Sequence, residues 1–96
     1  MRKWRKPSLA TSMLANDLAD DALSRLDRGD DIVPPQADGT PRIVTKSLIR
    51  LCANICALQT QRELDMESLL IMANDSEEEF EALVREIEEE AGKRGA

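Results

Sequence analysis

Histidine is absent from this 96-residue sequence, and the aromatic side chains are reduced to Trp4 and Phe80. Without histidine the chain lacks the usual general base near neutral pH and the commonest metal ligand. With so few rings, any core must be aliphatic, built from Leu, Ile, Val and Met. Long apolar runs are missing too. No stretch approaches the ~20 residues of a membrane-spanning helix, so no membrane partner is expected. Arg2, Lys3, Arg5 and Lys6 resemble the basic start of a secretory signal, but Leu9 to Ala15 is interrupted by Thr11 and Ser12 and stopped by Asn16 and Asp17. That stretch is too short and too polar to serve as a signal core. A cytoplasmic protein is expected.

Catalytic and cofactor motifs are also lacking. There is no glycine-rich phosphate loop, and the serines have no histidine partner. Asp20 with Asp21, and Asp30 with Asp31, are sequence neighbours whose side chains point apart, so neither pair forms an acid and base couple. Cysteine occurs only at positions 52 and 56. Four residues apart on a helix they share a face, with parallel side-chain directions that suit a disulfide poorly. A metal would need two more ligands. Buried thiols in a reducing, intracellular setting are the expectation, with no metal, no cofactor and no enzymatic activity.

Charge is present and uneven. The formal net charge is −6. Residues 1 to 46 hold eight bases and seven acids, whereas residues 47 to 96 hold five bases and twelve acids. Between Glu77 and Glu90 stand eight glutamates and one arginine, yet Phe80, Leu83, Val84, Ile87 and Ala91 recur at helical spacing through and beyond that run. This pattern describes an amphipathic helix with one apolar stripe and an acidic remainder, rather than a disordered acidic tail.

Periodicity and turn chemistry place the other elements. A helix is expected from Ser8, as cap, to Asp27, with Gly29 supplying the positive φ that ends it. Its apolar face is Leu14, Leu18, Ala22 and Leu26, joined by Leu23. Residues 29 to 44, rich in Pro, Gly and Asp, form a linker pinned at Ile32 and Val33. A second helix is expected from Thr45 to about Glu63, with Leu48, Leu51, Ile55 and Leu58 on one stripe and Ile49, Cys52 and Cys56 on the next. That wide arc puts it at the centre of the fold. A short helix follows from Met66 to Ala73, capped by Asp65, with a continuous helix from Thr45 to Ala73 as the rival. Asn74 and Asp75 make a turn, and Ser76 to Glu79 reads as a capping box opening a last helix, Glu77 to Ala91.

The fold class is therefore all-α, a small bundle of three to four helices forming one domain over residues 8 to 96, preceded by a basic N-terminal arm, residues 1 to 7. The expected core is Leu14, Leu18, Leu23, Leu26, Leu48, Leu51, Ile55, Leu58, Leu69, Leu70, Phe80, Leu83, Val84 and Ile87. Such a thin core leaves Met13, Ile49, Met66, Ile71 and Met72 over, and a chain this small often covers such residues in a homo-oligomer or with a partner.

Three functional readings follow. The leading one is a non-enzymatic interaction module, an adaptor, assembly chaperone or inhibitor of the kind carried by phages and mobile elements, that grips a protein partner. Met66 and Met72 would supply apolar contact; Arg2, Lys3, Trp4, Arg5, Lys6 and Glu78, Glu81, Glu88, Glu89 would supply the charged ends. Trp and Arg are the residue types enriched at interface hot spots. In the second reading residues 2 to 6 bind nucleic acid, since cations release counterions from phosphates and Trp4 can stack on a base; Arg25, Arg28, Arg42, Lys46 or Arg50 would extend that contact. In the third the carboxylates imitate a phosphate path and block a basic groove, against which stands the ordinary role of charge runs as solvated surface. Major-groove reading by the last helix is excluded, because a helix carrying eight glutamates is repelled by DNA phosphates.

Overall fold

The computed structural model of this chain describes residues 9–59 and 62–94. It is all-α. Four helices follow one another, α1 (Leu9–Asp27), α2 (Lys46–Leu58), α3 (Met66–Asp75) and α4 (Glu77–Arg94), with no strand among the described residues. The expected cap at Ser8 lies outside them.

Each boundary has a local cause. At the end of α1, Gly29 takes φ 79°, its N–H donates to Leu26 O, and the next N–H, of Asp30, donates to Arg25 O. This pair of bonds around a left-handed residue is the Schellman arrangement. Helix α2 starts where the Thr45 hydroxyl accepts from Leu48 N–H, and α3 where the Asp65 carboxylate accepts from Ser68 N–H. Ser76 serves two helices at once. Its N–H donates to Met72 O and closes α3, while its C=O accepts from Phe80 N–H and opens α4.

Three boundaries differ from expectation. Helix α2 stops at Leu58, not near Glu63, because Gln59 leaves the helix with ψ 148° and turns its side chain to the chain ahead. The Gln59 carboxamide accepts from Leu64 N–H and donates to Leu64 C=O. Helix α3 runs two residues past Ala73, and α4 runs three past Ala91.

The helix α2 is the shared element. Helix α1 packs on it, and so do α3 and α4, which also pack on each other. Ile49, Cys52, Ala53 and Ile55 of α2 are all at most 1% exposed, and around them gather Leu69, Leu70, Phe80 and Ile87 from α3 and α4, Ala19 and Ala22 from α1, and Ile32 and Val33 from the linker. The two linker residues are the anchors their isolation in a polar stretch suggested.

The core line on α1 is corrected by this packing. The buried residues are Ala15, Ala19 and Ala22, one narrow row at four- and three-residue spacing. Small side chains in that row let the backbones of α1 and α2 approach. The leucines then flank the seam: Leu18, Leu23 and Leu26 are half-buried against the core, and Leu14 is left 48% exposed. On α2 the buried line passes through Ile49 and Cys52 rather than through Leu48 and Leu51, so Ile49 belongs to the core and Leu51 does not. Leu48, Leu58, Leu83 and Val84 are half-buried at its edge. No helix among the described residues is long and apolar enough to cross a membrane.

Candidate partner-binding groove

Where the linker meets the junction of α3 and α4, the chain is fastened by polar side chains. Arg42 donates through Nε and Nη2 to the two carboxylate oxygens of Asp75, at 3.0 and 2.8 Å, and through Nη1 to the carbonyls of Pro34 and Pro35. A planar guanidinium fits a carboxylate in this paired way, which fixes orientation as well as charge. The Asp75 carboxyl is held below the usual range, first by hydrogen bonds from Arg42 and then by its charge, while the guanidinium becomes more basic.

The next two residues form a second fastening. Ile43 N–H donates to Asn74 Oδ1 at 2.7 Å, and Asn74 Nδ2 donates to Ile43 O at 2.9 Å and to Leu70 O. Both main-chain groups of Ile43 are thereby satisfied by one side chain. Its own side chain gains nothing from this. It stands 71% exposed.

Beside it lies a shallow groove of about 310 Å³, lined by Ile43, by Leu48 and Leu51 of α2, by Ala73 and Asn74 of α3, and by Glu77, Phe80 and Glu81 of α4. Phe80, 5% exposed, is its best-buried apolar wall, and Leu51 is 38% exposed. Glu77 and Glu81 are one helical turn apart, and both are exposed. Among the described residues no cation pairs with either; the nearby Arg42 is committed to Asp75. The arrangement offers an apolar trough with a negative edge, which suits a large apolar side chain next to positive charge.

Of the residues singled out in the sequence, Arg2, Lys3, Trp4, Arg5 and Lys6 lie outside the described residues. Met66 and Met72 are half-buried and pack against the core. Glu78, Glu81 and Glu89 are exposed and Glu88 is half-buried, but only Glu81 lines the groove. The acidic face is also interrupted, because Arg62 crosses from the α2–α3 loop to pair with Glu86 and, at 2.7 Å, with Glu90. Among the cations considered for a phosphate-binding face, Arg28 pairs with Asp30 at 3.1 Å and Arg42 with Asp75. Lys46 and Arg50 are exposed.

Ile43, Leu51 and Asn74 were not identified as site residues from the sequence. An isoleucine at a linker end and an asparagine in a turn carry no signal alone. Leu51 was expected in the core, on the stripe with Leu48, Ile55 and Leu58, and the structure instead places it 38% exposed at the groove.

The thiols are chemically quiet. Cys52 is buried, and burial together with the neighbouring Cys56 pushes its pKa up to about 12; burial and the charge of Asp65 push half-buried Cys56 up to about 11. Near neutrality both remain protonated, the unreactive form. Among the described residues no three Cys, Asp or Glu side chains converge as a metal site. No protein-family model matches the chain, and neither a curated protein nor a solved structure matches it.

Proposed function

We propose that this chain is a non-enzymatic interaction protein that holds a protein partner in the groove between the linker, α2 and the start of α4. What supports the reading is Ile43, whose main chain is fixed by Asn74 while its apolar side chain is left in water beside Leu51 and Phe80. Immobilising an exposed isoleucine costs entropy and returns no burial within the monomer. A partner that covers it recovers roughly 1.5 to 3 kcal/mol per large aliphatic side chain, and the main chain needs no further ordering at that moment. The negative edge at Glu77 and Glu81 selects a partner segment in which an apolar anchor is accompanied by Lys or Arg.

The test is capture from an extract of the source organism by the wild-type chain and by the double variant Ile43→Ser, Leu51→Ser, with helicity and thermal unfolding compared first. A partner retained by the wild type and lost by the folded double variant is expected. Equal capture by both chains would sink the reading.

A further inference from the structure

The groove asks for a bulky apolar side chain flanked by cations, and one segment of this chain has that composition. Residues 2 to 6 read Arg-Lys-Trp-Arg-Lys, four positive charges around the only tryptophan. We infer that the groove of one copy receives the basic arm of a second copy, so that two chains exchange arms reciprocally, with Trp4 seated among Ile43, Leu51 and Phe80 and the flanking cations against Glu77, Glu81 and the adjacent Glu78. This rests on the groove being a binding surface, and goes further by naming what fills it.

Three observations carry the inference. The first is charge complementarity: the edge carboxylates have no cation partner among the described residues, whereas Glu86 and Glu90 farther along α4 already have Arg62. The second is shape and chemistry. A trough of about 310 Å³ walled by Phe80 and aliphatic side chains is of the size that takes a single aromatic ring, and the edge carboxylates supply the acceptor an indole N–H seeks when its ring is buried. The third is reach. The five residues from Trp4 to Leu9 span at most about 18 Å when fully extended, which limits how far an arm can fold back on its own chain, whereas an arm from a second copy carries no such limit. Reciprocal exchange also closes with two-fold symmetry, giving a dimer rather than a filament.

Trp4 reports on itself, because the chain has no other tryptophan and no tyrosine. The experiment measures mass by sedimentation and the tryptophan emission maximum across protein concentration. Its chains are the full-length wild type, Trp4→Ala, the groove variant Glu77→Lys with Glu81→Lys, the arm variant Arg2→Glu, Lys3→Glu, Arg5→Glu, Lys6→Glu, and the combination of both charge reversals; circular dichroism confirms the fold of each. The wild type should be a dimer with blue-shifted emission, weakened about tenfold or more on moving from low to high salt, as expected of exposed charge pairs. Each charge reversal alone should give a monomer with solvent-like emission, and the combination should restore the dimer. A monomeric wild type with solvent-like emission overturns the inference. So does a dimer that survives both Trp4→Ala and the groove reversal, and so does blue-shifted emission independent of concentration, which would put the arm in its own groove. If partner capture remains sensitive to Ile43→Ser, Leu51→Ser in any of these outcomes, the groove reading stands without the arm; if neither capture nor mass responds to those substitutions, both fall.

Discussion

Asn74 and Ile43 are joined by two hydrogen bonds running in opposite senses, side-chain amide to main-chain carbonyl and main-chain N–H to side-chain oxygen. The same device recurs at Gln59 and Leu64. In both places a carboxamide just beyond or near a helix end takes both main-chain groups of one residue in a connecting segment, substituting for a short piece of sheet. The α1–α2 linker is thus tied to α3, and the α2–α3 connection to the end of α2. Beside the first of these ties lies the groove.

Replacing Asn74 by Ala removes three hydrogen bonds, to Ile43 N–H, Ile43 O and Leu70 O. Ile43 is exposed, so water takes over its two groups and the cost stays moderate, about 1 to 2 kcal/mol. The more specific consequence is local. Amide exchange at Ile43 should accelerate well beyond the change in global stability. Unchanged protection of that amide would show that the tie does not fix the linker.

The alanine row on α1 sets up a contrast between two neighbouring faces. Ala19→Leu forces extra volume into the seam with α2 and is expected to cost about 1 to 3 kcal/mol, although leucine is the more hydrophobic residue. Leu14→Gln, at a position 48% exposed, should stay within about 0.5 kcal/mol of wild type. Urea midpoints of the two variants decide it. A harmless Ala19→Leu would mean that the two helices do not meet along that row.

Acid should unfold the protein through carboxylates whose folded-state affinity for protons is reduced. Asp65 is held below its ordinary 3.8 by the Ser68 N–H and Asp75 by hydrogen bonds from Arg42. Because the folded pKa values lie below the unfolded ones, the unfolded chain binds protons first. Stability is then fully present above the ordinary carboxylate range and declines as pH falls through 3.8 and below. Asp75→Asn removes one of these groups, so its urea midpoint should fall less steeply with acid than that of the wild type between pH 5 and about 2. An identical slope would remove Asp75 from the account.

What was legible in the sequence was what one segment decides alone. Gly29 marked a positive-φ stop, Asp65 marked a cap, and Ile32 with Val33 marked the linker's anchors, because each depends on a few adjacent residues. The fold class and the central place of α2 followed from periodicity. What was not legible depends on two segments meeting. Ala15 and Ala19 look like weak hydrophobes until α2 lies against them, and Leu14 looks like core until the seam passes beside it. Ile43 became a site residue only when Asn74, thirty-one positions away, took hold of its main chain. Arg42 looked like a free cation for phosphate, and Asp75 had already claimed it.

The thiols set the opposite limit of the pH range. In the unfolded chain each would lose its proton near 9.0, whereas in the fold burial raises Cys52 to about 12 and Cys56 to about 11. A group whose folded pKa is raised contributes stability that is complete below its unfolded pKa and is lost as pH rises through the interval between the two values. Stability should therefore fall from about pH 9 upward. Cys52→Ala loses some packing at every pH, but its midpoint should decline less than that of the wild type from pH 9 to about 10.5, the first ~1.5 units above the unfolded value. The same burial predicts that an aromatic disulfide reagent labels the native chain only as fast as it opens, with half-buried Cys56 reacting before Cys52. Rapid labelling of Cys52 in the absence of denaturant would contradict its place in the core.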